Sequence, residues 1–452
     1  MEATTGKKTI LPLIGLFVLA TIGALSNAAP QSVVGDAING ADVAWMLTAS
    51  ALVLLMTPGL SFFYGGMVSK KNVISTLMQS FIAMGVISLL WIGCGFSLAF
   101  GDSIAGVVGN PMTFLMFSGV GTQTHPTLSA TIPLLLFAIF QLKFAIITPA
   151  LITGSFAERV RFSSYILFMC LFSLFIYSPL AHMTWHPDGL FRKWGVLDFA
   201  GGTVVHMSAG IAALAGALYL GRRKVHKAQA STVPANIPFV LLGTGMLWFG
   251  WFGFNAGSAL AANETASLAF LTTNTACAAA MLTWLCTEMV AGKKPSALGA
   301  CVGAVVGLVA ITPAAGFVSI GASIFIGTAA SFICNVAVQL RGKSNLDDTL
   351  DVFPCHGVGG IIGMLLTGVF AKDVGLIFGK TDTFMYHLLA MCIASAYTFV
   401  GSLILYKITD MIIPMRVTDE QEDIGLDITQ HGETLSSKGV EQAIQDLQKA
   451  VA

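Results

Sequence analysis

Two histidines in this sequence each follow an aspartate by eight residues and stand in an apolar, glycine-rich run. Asp198 and His206 lie in DFAGGTVVHMSAGIAALAGALYL, and Asp348 and His356 lie in DDTLDVFPCHGVGGIIGMLLTGVF. An aspartate before such a run is a typical helix N-cap, so the pattern predicts two helices that each carry a buried imidazole. Two neutral imidazoles side by side can pass a proton, because each ring has one donor and one acceptor nitrogen.

The repetition of this pattern favours a functional role for the histidines. A single buried histidine is more often a core residue that bonds a carbonyl group, although ionisable groups inside a bilayer usually face a cavity and mark a site. Matching residues in two halves of one membrane protein are typical of an internal repeat with its site between the halves. We therefore expect His206 and His356 to face each other across a pore within hydrogen-bonding distance.

The composition indicates a membrane protein. Of the 452 residues, 55% are hydrophobic and 10% are charged, which is too apolar for a soluble globular chain. The net charge is zero and long basic runs are absent, which argues against nucleic acid as a partner. No glycine-rich phosphate loop with its lysine is present, so a gradient would drive any transport. The eight cysteines lie in or beside apolar runs without a CxxC pair, so we interpret them as small core residues and not as disulfides or metal ligands. We also expect no cofactor.

The first 28 residues have the composition of a secretory signal. Lys7 and Lys8 precede an apolar run from Ile10 to Leu25, and small residues follow at Ser26-Asn27-Ala28. We predict a cleavable signal peptide over 1–28. The alternative is an uncleaved first membrane helix.

The rest of the chain predicts an all-α polytopic membrane protein with about eleven spans long enough to cross a bilayer. The spans lie near 42–67, 73–100, 130–156, 163–184, 199–220, 236–258, 265–291, 297–313, 315–339, 353–371 and 384–413. This number fits two inverted five-helix repeats plus a final helix, with the two histidine helices fifth and tenth. MTPGLSFFYGG in the first span resembles WFGWFGFNAGS in the sixth, which supports the repeat.

The basic residues predict an orientation. They cluster in alternate loops, at Lys70 and Lys71, Arg159 and Arg161, Arg222 to Lys227, Lys293 and Lys294, and Arg341 with Lys343. The positive-inside rule places these loops in the cytoplasm and the mature N-terminus outside. Arg192 and Lys193 are an exception on the outer side. We predict a membrane domain over 29–415 and a cytoplasmic docking or regulatory tail over 416–452, with a short helix from Gly439 to Val451.

Aromatic and hydroxyl side chains gather near the predicted outer ends of several spans. They are Trp185 in AHMTW, Phe144 in FQLKFA, and Trp251 and Ser258 in LWFGWFGFNAGS. An aromatic face attracts an ammonium-type cation by roughly 0.5 to 2 kcal/mol, and a hydroxyl oxygen can accept one of its protons. An interfacial aromatic belt is the alternative for each residue alone. Phe144 and Phe254 also fit a hydrophobic constriction that excludes hydrated ions.

Seven motifs together resemble the ammonium transporter family, which includes the bacterial and plant Amt proteins and the fungal Mep proteins and is related to Rh proteins. The resemblance is to the bacterial Amt branch. The seven motifs are DFAGGTVVH, GWFGFNAGSA with ANE after it, TPGLSFFYGGMV with KKNV, GSFAERVRF, AHMTW, DVFPCHGVGG and GLDITQHGE. The motifs occur in order over nearly the whole mature chain. The resemblance implies a transporter of ammonium or ammonia in the inner (plasma) membrane, not an enzyme, with a role in nitrogen metabolism. It also implies a homotrimer with one pore per subunit, and control by a cytoplasmic PII signal protein to which the tail motif contributes.

The resemblance further implies how the substrate enters. Trp185, Phe144 and Ser258 correspond to an outer ammonium-recognition site, and Phe144 with Phe254 to a stacked phenyl gate that the substrate passes after losing a proton. This sequence departs from the family pattern after Trp185, where His186-Pro187-Asp188 replace the usual glycines. The vestibule is therefore expected to differ in shape and charge.

The resemblance implies roles for the histidine helices as well. His206 and His356 correspond to a twin-histidine pair in the pore, and Trp251 corresponds to a pore-lining aromatic residue. Asp198 corresponds to a structural acid near the recognition site, and we assign Asp348, its counterpart in the second pattern, the same structural role.

A second departure is Lys143, immediately before the gate residue Phe144. It lies roughly 20 Å along its span, near mid-membrane, and successive helix positions differ by about 100°. If Phe144 faces the pore, Lys143 need not. We expect it to point elsewhere and to be tolerated without taking part in conduction.

Three alternatives remain open at this point. His206 and His356 could be haem ligands of a membrane redox protein. His182 and His186, four residues apart on one helix face, could bind a metal ion with Asp188 as an accessory site, although further ligands are lacking. The chain could also be an ammonium sensor that does not transport.

Overall fold

The structure is a computed structural model and describes residues 5–25, 38–230 and 233–435. Within these ranges ten helical stretches are long and apolar enough to cross a membrane. They are Gly40–Met67, Lys70–Phe100, Leu134–Phe156, Phe162–Lys193, Gly202–Leu220, Ile237–Gly257, Glu264–Val290, Ile320–Gly342, Phe353–Phe370 and Asp382–Ile412. The chain is therefore an all-helical, multi-pass membrane protein.

The remaining elements are short. A two-stranded antiparallel ribbon pairs Ser103–Ile104 with Val108–Gly109. Short helical segments follow at Leu115–Phe117, Lys224–Lys227, Leu376–Phe378, Asp419–Ile424 and Asp427–His431. The helix Thr5–Leu25 covers most of the predicted signal peptide, whose cleavage site at 26–28 lies outside the described residues, as does the helix predicted over Gly439 to Val451. The signal peptide and that tail helix stay predictions.

The predicted span 297–313 differs from the other ten. It forms a helix of 15 residues, Ala297–Ile311, which is shorter than the roughly 20 residues that cross a bilayer. Pro313 follows its end, and proline cannot continue a helix because it lacks a backbone N–H. The second half of the helix is buried throughout, so it packs inside the helical bundle. The count of eleven spans stays a prediction.

The first and sixth predicted spans, whose sequences resemble each other, pack side by side. Glycines allow the close approach of helices Gly40–Met67 and Ile237–Gly257. A Cβ atom on Gly243 would lie 2.4 Å from the backbone nitrogen of Phe63, and one on Gly59 would lie 2.9 Å from the Cβ of Met246. Small residues at such crossings are the main device for tight helix packing in membranes.

The two histidine helices, Gly202–Leu220 and Phe353–Phe370, run antiparallel. Gly210 of the first lies against Gly357 of the second, where a Cβ atom on Gly210 would come within 2.0 Å of the Gly357 nitrogen. Arg223, which follows the end of the first helix, bonds Asp347, which precedes the second. Because the end of one helix meets the start of the other, their two patterns are inverted in space.

Residues 416–431 of the tail pack against the end of the molecule where the first histidine helix finishes. We call this the tail end. Arg416 donates to the Leu220 carbonyl and to Glu422, and Lys71 donates to the Glu422 carbonyl. Asp427 accepts a hydrogen bond from the backbone N–H of Ser75. The tail thus contacts loops that are more than 190 residues away in the chain.

Four charged side chains form a buried network beside this tail. Arg223 contacts both Asp347, at 2.8 Å, and Glu158, at 2.5 Å, and Arg159 lies 3.8 Å from Asp347. Burial alone would raise the pKa of Asp347, but hydrogen bonds from Arg223 and the charge of Arg159 outweigh it and lower that pKa to about 2. The network joins loops that are 124 residues apart.

Candidate functional site

A wide cavity opens at the end of the molecule opposite the tail. We call it the vestibule. Its volume is about 590 Å³, and its walls include Trp185, Phe144, Ser258, Gln141, Asp198, Arg192 and Asn263. The three residues predicted from the sequence to recognise a cation therefore share one cavity. Aromatic rings and uncharged polar groups make up much of its lining.

Hydrogen bonds hold the recognition residues in place. The Trp185 indole nitrogen donates to the Asp198 carbonyl oxygen at 3.1 Å, so the ring is fixed against the first histidine helix. The Ser258 hydroxyl donates to the Phe254 carbonyl at 2.9 Å, which uses its proton and leaves oxygen lone pairs to accept from a ligand. Both side chains are only partly buried, as side chains on a cavity wall should be.

Two phenyl rings separate the vestibule from the interior. The centroids of Phe144 and Phe254 lie 4.3 Å apart with planes tilted by 36°, and both side chains are almost fully buried. Phe144 lines the vestibule and Phe254 lines the cavity beneath it. Trp185 meets the edge of Phe144 at 5.7 Å, and Phe140 supports Phe144 from another side at 5.0 Å. The ring pair thus stands between the two cavities.

A π-helical turn carries each histidine. His206 lies in the turn Gly202–Met207 and His356 in the turn Phe353–Val358. A π turn has a wider backbone ring than an α turn and is common at functional sites. The wider turn changes the direction in which the following side chains project. Both histidines thus sit in equivalent local structures.

Each π turn begins on an aspartate that binds its free backbone N–H groups. The Asp198 carboxylate accepts from Gly201, Gly202 and Thr203 at 2.6–2.8 Å. The Asp348 carboxylate accepts from Val352 and Phe353 at 3.1 and 2.7 Å. Burial raises the pKa of both carboxyl groups, and these backbone donors oppose the rise. The aspartates anchor the turns, since their oxygens are bonded to backbone.

The two imidazoles meet in the middle of the molecule, as the matched spacing predicted. The Nδ1 atoms of His206 and His356 are 3.3 Å apart, and the rings are nearly parallel at 25°. One Nδ1 must carry a proton and the other must accept it, because a hydrogen bond needs one of each. The Nε2 atom of His206 has no partner within the described parts of the chain.

Trp251 forms a wall beside the histidine pair. Its ring lies 5.4 Å from that of His206 at an angle of 18°, and its indole nitrogen donates to the Thr312 hydroxyl at 2.9 Å. The sequence could not indicate Thr312, which is 61 residues away from Trp251. The one available signal was that a buried indole N–H requires an acceptor.

A narrow cavity lies between the phenyl pair and the histidines. We call it the pore cavity. It offers about 10 Å³ to the centre of a water-sized molecule, which is roughly what one such molecule needs. Apart from His206 and His356, the described residues that line it are apolar or aromatic: Met56, Leu60, Phe63, Ile147, Leu151, Val205, Leu247, Trp251, Phe254 and Val305.

Lys143 lines neither cavity, although its neighbour Phe144 forms the boundary between them. The side chain is 9% exposed. Within the described ranges it makes neither an ion pair nor a hydrogen bond. The helical offset between adjacent residues separates it from the path, as expected.

His182 and His186, the two histidines of the possible accessory metal site, contact other groups of the protein. His182 contacts the Ser103 hydroxyl at 2.8 Å and the Ala99 carbonyl at 3.0 Å, and its ring stacks on His186 at 4.4 Å. Asp188 pairs with Lys193 at 2.9 Å. In the described part of the chain no cluster of three potential ligands could hold a metal ion. The geometry therefore gives the accessory metal hypothesis no support.

Gln141 and Arg192 are vestibule residues that the sequence did not indicate as such. Gln141 lines the wall next to Phe144, and its Oε1 atom has no protein partner among the described residues. From the sequence, Arg192 is only an exception to the positive-inside rule. Its place in the vestibule depends on how the loop after Trp185 folds, which the sequence pattern does not reveal.

Comparisons with known proteins identify the family. The profile described as Ammonium Transporter Family matches residues 44–435. The ammonium transporter of Aquifex aeolicus is 47% identical over 399 residues, which cover 87% of this chain and 92% of that protein. The crystal structure of Saccharomyces cerevisiae Mep2 superposes with a TM-score of 0.80 at 35% identity over 85% of this chain and 89% of that one. A structure titled Sensor Amt Protein gives a TM-score of 0.79 at 29% identity over 86% and 98%. The chain therefore belongs to the ammonium transporter family.

Proposed function

We propose that this protein takes up ammonium at the vestibule, removes one proton and conducts ammonia through the pore cavity past His206 and His356. The observation that carries the proposal is the order of the two cavities and the ring pair. The vestibule, the phenyl pair Phe144 and Phe254, and an apolar cavity with two imidazoles adjoin one another in that order.

The vestibule has the chemistry to hold ammonium at low concentration. The faces of Trp185 and Phe144 each attract the ion by about 0.5 to 2 kcal/mol. The Ser258 oxygen accepts one N–H of the ion, since its own proton is donated to a carbonyl group. Water in the open cavity supplies the other acceptors.

The pore cavity selects the neutral form. A cation in this small space would lose its water shell and gain few acceptors, and burying an unpaired charge is very costly. Ammonia needs much less compensation. The ion therefore gives one proton to water in the open vestibule before the neutral molecule passes Phe144 and Phe254, and the histidine pair offers that molecule a donor and an acceptor on the way.

The histidine pair shares one bridging proton and stays neutral. Each neutral ring keeps one N–H group, and an additional proton would place a net positive charge in this apolar cavity, where burial disfavours the charged form. The haem alternative does not fit, because the two Nδ1 atoms contact each other directly and the pore cavity has no room for a porphyrin.

The setting of this function is part of the proposal. The protein lies in the inner membrane after removal of the signal peptide, residues 1–28. By the positive-inside rule the vestibule faces the outside and residues 416–452 lie in the cytoplasm. We infer eleven spans in two inverted repeats, a homotrimer with one pore per subunit, and control by a PII signal protein at the tail. Deletion of residues 424–452 should leave a folded trimer with altered regulation.

Uptake by the purified protein in lipid vesicles tests the proposal. Labelled methylammonium should accumulate inside vesicles that contain the protein and should be displaced by ammonium. Binding of ammonium without uptake would instead support a sensor. The similarity to the structure titled Sensor Amt Protein is the observation that favours this second candidate. Current recording on the same vesicles under an ammonium gradient shows whether the released proton also crosses.

A further inference from the structure

One charged residue in the vestibule has the wrong sign for a site that collects cations. Arg192 lines the vestibule together with Trp185 and Ser258. Its side chain is exposed, and no hydrogen bond or ion pair of its guanidinium group is found in the ranges that the structure describes. The charge is therefore free to act on whatever enters the cavity.

Among the described residues, no nearby acid forms an ion pair with this arginine. Asp198 is the one acidic residue among the described residues that line the vestibule, and its carboxylate oxygens are bonded to three backbone N–H groups. Asp188 is paired with Lys193 and lines a separate side pocket. Glu264 follows the lining residue Asn263 but does not line the cavity itself.

We propose that Arg192 is an electrostatic filter at the entrance of the vestibule, which lowers the occupancy of divalent cations more than that of ammonium. The inference rests on the proposed function of the cavity. The repulsion energy is proportional to the charge of the entering ion. The fold-decrease in occupancy of a divalent ion is therefore the square of the fold-decrease for a monovalent ion. Aromatic faces attract cations of any kind, and the arginine supplies the discrimination by charge that they lack.

The size of the effect follows from Coulomb's law. Two unit charges about 8 Å apart in a water-filled cavity change the occupancy of a monovalent cation by about two- to threefold, and that of a divalent cation by about sixfold. Salt screens the repulsion, because the Debye length falls from about 30 Å at 0.01 M to about 3 Å at 1 M ionic strength. The filter therefore costs some affinity for ammonium at low salt.

Intact cells that lack their own ammonium transport and express this chain present the vestibule to the medium. Uptake of labelled methylammonium is measured in dilute buffer. Arg192→Gln should lower the half-saturating concentration about two- to threefold without changing the maximal rate, and Arg192→Lys should behave like the wild type. Lys193→Gln is the matched control, since it removes a neighbouring positive charge outside the vestibule, and it should change little.

Two further measurements separate charge from shape. The difference between the wild type and Arg192→Gln should vanish when the ionic strength is raised to about 0.5 M. Millimolar Mg²⁺ should inhibit uptake by Arg192→Gln more strongly than uptake by the wild type. Equal inhibition, or no inhibition of either, would overturn the filter for divalent ions.

An unchanged half-saturating concentration in Arg192→Gln, or the same change in Arg192→Lys, would show that the charge of Arg192 does not act on the substrate. Failure of the proposed function gives a different result. In that case the wild-type chain itself would produce no uptake, whatever residue stands at position 192.

Discussion

The two histidine helices are alike in the turns that carry the histidines and differ in the surroundings of their N-terminal ends, which we call their entrances. Each begins on an aspartate that binds backbone N–H groups, continues as a π turn and presents a histidine eight residues later. The entrance of the first helix opens on the vestibule, with Trp185 and aromatic rings. The entrance of the second helix lies among charged groups at the tail end, where Asp347 pairs with Arg223.

This difference shows how one local pattern can stand in two different surroundings. The part that the two helices share holds the histidines. The surroundings are free to differ, because the two entrances face opposite ends of the molecule. At the vestibule end uncharged groups can hold a passing cation, whereas at the tail end ion pairs tie the loops and the tail together.

The largest expected effect is a loss of stability when the ion pairs at the tail end are removed. Asp347→Asn leaves Arg159 and Arg223 buried without their shared partner, which should destabilise the protein by about 3 to 5 kcal/mol. Thermal unfolding in detergent measures the loss, and Asp423→Asn, which removes an exposed acid of the tail, is the control.

The same variant has a signature in pH. The folded pKa of Asp347, about 2, lies below that of the unfolded chain, so its contribution is complete above about pH 4 and is lost as the pH falls towards 2. The gap in stability between wild type and Asp347→Asn should therefore narrow below pH 4. A gap that stays constant down to pH 3 would argue against an ionic role.

The second effect tests whether the two histidines are equivalent. Replacing either His206 or His356 by leucine removes one partner of the Nδ1 contact and one of the two groups that bond the neutral molecule. We expect uptake of methylammonium to fall by about 5- to 150-fold, because an unmade buried hydrogen bond costs roughly 1 to 3 kcal/mol. Rates in vesicles are compared at equal protein content. If one variant kept the wild-type rate, the pair would not act as a unit.

A smaller effect concerns the vestibule alone. Trp185→Leu removes a cation-attracting face worth about 0.5 to 2 kcal/mol and should raise the half-saturating concentration about 2- to 30-fold, with less effect on the maximal rate. The concentration dependence of uptake measures this, and Trp194→Leu, an aromatic change outside the lining, is the control. A lower capacity at unchanged concentration dependence would indicate a packing role.

The smallest effect is expected at Lys143. The side chain lines neither cavity, because it points roughly 100° away from Phe144 around the helix. Lys143→Met should therefore keep uptake near the wild-type level from pH 6 to 8. Uptake and the oligomeric state are measured together. Abolished uptake in an intact oligomer would place Lys143 in the conduction mechanism.

The sequence alone determined the class of the protein and most of its candidate residues. Apolar runs of sufficient length predict spans, and the paired patterns ending in His206 and His356 predict that the two imidazoles meet. Such signals are local, because hydropathy and helical period are properties of contiguous residues. The weakest of the predicted spans was the short helix Ala297–Ile311, where burial within the bundle replaces contact with lipid.

Tertiary structure decided what these residues meet. The contact between His206 and His356 joins positions 150 residues apart, and the acceptor for Trp251 and the placement of Arg192 likewise depend on how distant segments pack. The sequence also could not show that both histidines lie in π turns, whose first backbone N–H groups the aspartates bind. Local patterns select helices, but only the packing of many helices fixes which side chains share a cavity.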